Sequence, residues 1–140
     1  MSDVSVIDRS IEKTNIWLKE LAEELGSDDR QAAYRVLRAY LHAVRDRLMV
    51  NEAAQLAAQL PELIRGIYYE DWVPARTPVN YRTVDEFLDR VAAEARLPGE
   101  TQASYACSAA ARVLRRHVSQ GEIDDVVAVF PEEMRAVLAG

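Results

Sequence analysis

The chain has a single cysteine, Cys107, among its 140 residues. No internal disulfide can form, and an oxidising compartment offers the fold nothing. Histidine is nearly as scarce: His42 and His117 stand far apart, with no Cys, His or carboxylate at ligand spacing around either. The zinc patterns are therefore missing, and the expectation is no metal and no cofactor. The 5 glycines are scattered singly, so there is no Gly-rich loop to cradle phosphate. No apolar run approaches the roughly 20 residues needed to span a bilayer. Residues 1–10 also lack the basic-then-apolar order of a secretory signal, which makes the cytoplasm the expected location. Positive charge is in deficit, with 17 Lys and Arg against 23 Asp and Glu and a net charge of -6. That balance disfavours nucleic acid and anionic membranes as partners, since both demand a basic footprint.

What is present is helical. Hydrophobic residues make up 49% of the chain and charged ones 29%, the composition of a soluble globular protein, and 140 residues suffice for one domain spanning 1–140. Residues 1–9 read as a loose arm docking through Val4, Val6 and Ile7. From Ser10, Ile11, Trp17, Leu18, Leu21, Ala22 and Leu25 recur at helical spacing until Gly26 stops the pattern. Ser27, Asp28 and Asp29 open a long helix to about Leu48, on which Ala33, Val36, Leu37, Tyr40, Leu41 and Val44 share one broad side. Asn51 is the expected cap of a third helix with Ala54, Leu56, Ala57 and Leu60 inward. Pro61, with Glu62 behind it, opens a fourth.

Residues 70–82 hold Trp72, Pro74, Pro78 and Tyr81 without sustained periodicity, and read as a linker. Thr83 and Glu86 then form a capping box for a helix carrying Phe87, Leu88 and Val91. The next helix, to about Val118, is small-sided, with Ala103, Ala106, Cys107, Ala110 and Ala111. Ser119 to Glu122 cap a seventh helix, and Pro131 opens an eighth.

Sliding the chain by 70 positions without gaps sets Trp17 on Phe87, Leu18 on Leu88, Glu24 on Glu94, Arg45 on Arg115, Pro61 on Pro131 and Arg65 on Arg135. Caps, helix lengths and apolar faces follow in the same order, which is how an internal repeat reads. Residues 1–70 hold 9 basic and 12 acidic side chains, and residues 71–140 hold 8 and 11, so each half carries -3. The expectation is an all-α bundle of about eight helices built from two tandem pseudo-symmetric four-helix repeats. Repeat 1 covers about 10–70, the linker about 70–82 and repeat 2 about 83–140, with Trp17 and Phe87 at equivalent buried places.

Tyr34 to Leu48, followed by Gln59 to Tyr69 and Trp72, resembles the bacterial family called domain of unknown function 2267. The likeness covers nearly the whole chain and is strongest between residues 14 and 72. It implies a small all-helical bacterial protein and brings no catalytic residues with it.

Two constellations are candidate sites. Arg35, Arg38, His42 and Arg45 fall on a narrow stripe opposite the apolar face of the second helix, a candidate anion-binding surface whose plainer reading is a solvated face. Tyr68, Tyr69 and Trp72 form an aromatic cluster of the kind enriched at recognition surfaces, a candidate partner-binding site whose plainer reading is an anchor for the linker. Arg65 and Arg135, at matching places, are expected to bridge to Glu52 and Glu122 or to carbonyls between the repeats. Cys107 and His117 are ten residues apart on one helix, about 15 Å, too far for a nucleophile and its base. The carboxylate pairs Asp28–Asp29, Asp124–Asp125 and Glu132–Glu133 sit at helix starts, where the dipole accounts for them. No catalytic set can be assembled. The expectation is a non-enzymatic helical module that binds a protein partner or itself. The alternative is a regulatory protein that binds a small ligand or anion in the cleft between the repeats.

Overall fold

The computed structural model describes residues 4–140. Among them the order is α1 (Ser5–Glu24), α2 (Arg30–Asp46), α3 (Val50–Ala57), α4 (Glu62–Tyr69), a single 3-10 turn (Pro74–Arg76), α5 (Val84–Ala95), α6 (Glu100–His117), α7 (Gln120–Val129) and a C-terminal 3-10 helix (Glu132–Leu138), with no strand. The all-helical bundle of about eight helices is therefore the architecture.

Each boundary has a local cause. Gly26, at φ 70°, ends α1 with Gly26 N–H donating to the Glu23 carbonyl and Ser27 N–H to the Ala22 carbonyl, both at 2.9 Å. Asp29 caps α2, accepting from the Gln31 and Ala32 amides at 3.0 and 3.1 Å. Thr83 and Ser119 do the same for α5 and α7 through the Glu86 and Glu122 amides. At α3 the expected cap is displaced. The helix begins at Val50, and Met49 donates its amide to the Glu52 carboxylate at 3.0 Å, which leaves Asn51 inside the first turn.

The N-terminal reading also needs correction. Residues 1–3 lie outside the described residues, but α1 begins at Ser5 rather than near Ser10, and Val4, Val6 and Ile7 are exposed instead of docked. Ile11 and Ala54, read as inward, also face solvent.

Helix α2 lies at the centre, packing on α1, α4, α5 and α6. Pairings recur at the 70-residue offset: α1 on α2 and α5 on α6, α1 on α4 and α5 on the C-terminal 3-10 helix, α2 on α5 and α6 on α1. Helix α2 packs on both α5 and α6, and small side chains suit such close approach: Ala39 and Ala43 on α2 and Ala103, Ala106, Ala109 and Ala110 on α6 are all buried. Trp17 and Phe87 are both core residues. The Trp17 ring stacks on His117 at 4.8 Å between centroids, and Phe87 meets Tyr40, Tyr81 and Phe130 edge-on.

Candidate functional site

The four groups of the basic stripe do not act together on a surface. His42 and Arg45 are buried, at 3% and 2% exposure. His42 Nε2 pairs with the Ile67 carbonyl at 2.7 Å and Nδ1 with Glu94 Oε2 at 2.8 Å. Arg45 Nη1 donates to the carbonyls of Tyr68 and Glu70, both at 2.7 Å, and Nε donates to Asp46 at 2.8 Å. Arg38, half-buried, is paired with Glu70, Asp71 and Glu94. His42 and Arg45 satisfy carbonyls at the C-terminal end of α4, where a cation complements the helix dipole, and Arg38 and His42 tie α2 to α5 through Glu94. Of the four, only Arg35 keeps an exposed guanidinium without a partner among the described residues. A helix in the centre of a bundle has no solvated back, which is why the stripe is spent internally.

The aromatic cluster divides. Tyr68 is buried completely, donating its hydroxyl to the Ala53 carbonyl at 2.8 Å, so it cannot touch a partner. Its burial holds the phenol well above the ordinary range. Tyr69 and Trp72 are half-buried against the core with ring centroids 5.2 Å apart, and the Trp72 indole nitrogen is enclosed without a hydrogen-bond partner. These two pin the start of the connection. Tyr81 pins its end: it is buried with its hydroxyl donating to the Ala43 carbonyl, while Arg47 Nε donates to the Tyr81 carbonyl at 2.9 Å.

Arg65 and Arg135 bond carbonyls of their own halves, Arg65 those of Ala57 and Leu60 and Arg135 those of Phe130 and Ala128. Neither reaches Glu52 or Glu122. Cys107 is buried, which pushes its thiol up to about 12 and keeps it from ionising at neutral pH. Among the described residues no group of three or more His, Cys, Asp and Glu converges as a metal site would, and no helix is long and apolar enough to cross a membrane.

One apolar surface remains uncovered. N-terminal to Ser10 no residue of α1 is buried, and Val4, Val6, Ile7 and Ile11 are 49%, 48%, 49% and 44% exposed. Helical spacing places Val4, Ile7 and Ile11 on one strip, with Val6 one turn before Ser10 beside it. Ser10 Oγ accepts from the Leu63 amide at 2.9 Å, which brings the exposed Leu63 against the same part of α1. The strip runs on along α1 into the half-buried Leu18 and Leu25, at the edge of the face that Trp17 and Leu21 bury, so the sequence signal was its period. A stretch with mixed polar residues at a chain start reads as an arm when that period is not followed back past Ser10.

The sequence profile of the family described as "Uncharacterized conserved protein (DUF2267)" matches residues 14–137. The chain belongs to the DUF2267 family. No curated protein matches it. The description of DUF2267 assigns no activity, and the match starts at residue 14, so the exposed turns of α1 lie outside the part that aligns with the DUF2267 profile.

Proposed function

We propose that this DUF2267 protein is a non-enzymatic bacterial helical module of two tandem pseudo-symmetric repeats, working in the cytoplasm, and that it associates with a second copy of itself through the first two turns of α1. The observation that carries this reading is the uncovered strip of Val4, Val6, Ile7 and Ile11 on a helix that projects beyond its own bundle. Large aliphatic side chains at i, i+3 and i+7 are the anchors by which one helix lies against another, and contiguous apolar patches of this kind are seldom left bare.

Charge favours a second copy as the occupant. The protein carries -6, a self-repulsion that opposes contact between like molecules over most of the surface. Residues 4–13 hold Asp8, Arg9, Glu12 and Lys13, which sum to zero. The recurrence of helix pairings and of arginine-to-carbonyl bonds at the 70-residue offset supports the repeat reading.

Sedimentation velocity from micromolar to near-millimolar protein tests it. Wild type is expected to shift from monomer to dimer, and the Ile7→Glu/Ile11→Glu variant to stay monomeric with unaltered helical content. A wild type that stays monomeric throughout, or a variant that dimerises as wild type does, rejects the second copy.

A further inference from the structure

Where the C-terminal ends of α1 and α5 meet α2 and α6, a cleft of about 480 Å³ opens between the two halves. Leu25, Val36, Leu97 and Ala106 form an apolar floor, and Arg35 and Arg96 stand at the rim. No acidic residue lines it. Neither guanidinium has a hydrogen bond or ion pair within the described residues, whereas Arg38, Arg45, Arg112 and Arg115, on α2 and α6, are all engaged. Glu100, four residues after Arg96, does not line the cleft, and the other carboxylates near in sequence are committed elsewhere. Glu24 is held by Arg112 and Arg116, Glu94 by Arg38 and His42, and Asp29 by the first amides of α2.

Arg96 occupies its place in a conformation that disfavours it. It ends α5 at φ 60°, the left-handed conformation that Gly26, 70 positions earlier, takes at the end of α1. The bond pattern there is likewise the same, with Leu97 N–H donating to the Ala92 carbonyl at 2.8 Å. A side chain at such a position is strained where glycine is not, and strain of that kind gathers at functional sites. The start of α6 also borders the cleft. The start contributes neutral groups only, Thr101 and Gln102, because Glu100 in the first turn already complements the positive helix end.

We propose that this cleft binds a small organic carboxylate with an apolar body, its head held between Arg35 and Arg96 and its hydrocarbon or aromatic part laid on the floor. Paired guanidiniums suit a planar carboxylate, and the volume falls in the range of small-molecule sites. The site is independent of self-association, because Leu25 lies about 21 Å along α1 from Ile11.

Calorimetry with decanoate and 2-naphthoate, below the concentrations at which they aggregate, tests the assignment. At least one is expected to bind saturably at one per chain, and Arg35→Gln and Arg96→Gly are each expected to weaken it at least tenfold. Both variants should keep their helical content, and Arg96→Gly should melt no lower than wild type, which separates loss of a ligand contact from loss of structure. Saturable binding of neither carboxylate overturns the proposal. So does equal binding by both variants, by acetate, which lacks the apolar body, or by decanol, which lacks the charge.

Discussion

His42 and Glu94 meet across the junction of α2 and α5, with Nδ1 2.8 Å from Oε2. Seventy positions away the halves exchange roles, and Arg112 Nε donates to Glu24 Oε1 at 2.7 Å where α6 meets α1. The two pairs differ in burial, His42 being 4% exposed and Arg112 37% over their side chains. Removing Glu94 strands a buried imidazole nitrogen, while removing Glu24 leaves two arginines that water can reach. Urea unfolding is expected to show a loss of about 2 to 3 kcal/mol for Glu94→Ala and about 1 kcal/mol or less for Glu24→Ala.

Acid unfolding reads the second pair separately. Hydrogen bonds from Arg116 and Arg112, with their charges, hold the Glu24 carboxyl below its ordinary 4.5. A folded-state value below the unfolded one means that its contribution is present above pH 4.5 and disappears as pH falls through the folded value. Glu24→Gln should therefore flatten the fall in stability below pH 4.5 while leaving the neutral region nearly level. A slope identical to wild type would remove Glu24 from the acid transition.

Arg35 and Arg45 sit ten residues apart on one helix and are expected to behave oppositely. The Arg45 guanidinium satisfies two carbonyls and Asp46 inside the protein, so Arg45→Gln should cost about 3 kcal/mol by leaving buried acceptors without donors. Arg35, exposed and without a partner, should change stability by less than about 0.5 kcal/mol when replaced by Gln. Equal effects would contradict the division of the stripe. A uniform effect for all four members is the outcome the helical period alone implies.

Helix order, the capping residues Asp29, Thr83 and Ser119, and the burial of Trp17 and Phe87 were legible because each depends on near neighbours in sequence or on a period. The fates of Arg38, His42 and Arg45 were not. Periodicity assigns one apolar side to a helix and leaves the rest to water, but α2 is surrounded by four helices, and its polar side faces the end of α4 and the side of α5. Which side of a central helix meets a carbonyl cluster depends on tertiary placement. That Arg96 joins Arg35 at one cleft between the halves was illegible for a similar reason, since the lining draws on residues from Leu25 to Ala106.

Trp72 combines an apolar contact with an unmet donor. Its ring packs on Tyr69, yet its enclosed Nε1–H has no acceptor. Trp72→Phe keeps most of the packing and removes the unsatisfied group, so it should lie within about 1 kcal/mol of wild type or above it, whereas Trp72→Ala should lose about 2 kcal/mol or more. Thermal and urea unfolding of the two variants decide this. A Phe variant as damaged as the Ala variant would mean that the indole nitrogen finds an acceptor, water included, in solution.

Gly26 and Arg96 offer the closest comparison between the halves, because both close a helix in the left-handed conformation, at φ 70° and 60°. A Cβ on Gly26 would find open space, its nearest contact being the Tyr105 hydroxyl at 4.0 Å, so the effect of Gly26→Ala isolates backbone strain. The left-handed conformation costs an L-residue about 1 to 2 kcal/mol, and Gly26→Ala should lose that much. Arg96→Gly should recover a similar strain but give back about 0.5 to 1 kcal/mol in the freedom glycine gains on unfolding, for a net gain of about 0 to 1 kcal/mol. Urea unfolding of the two variants should thus move in opposite directions from one starting point. A loss of stability in Arg96→Gly would show that the guanidinium supports the fold, and the strain at its Cα would then no longer point to a ligand.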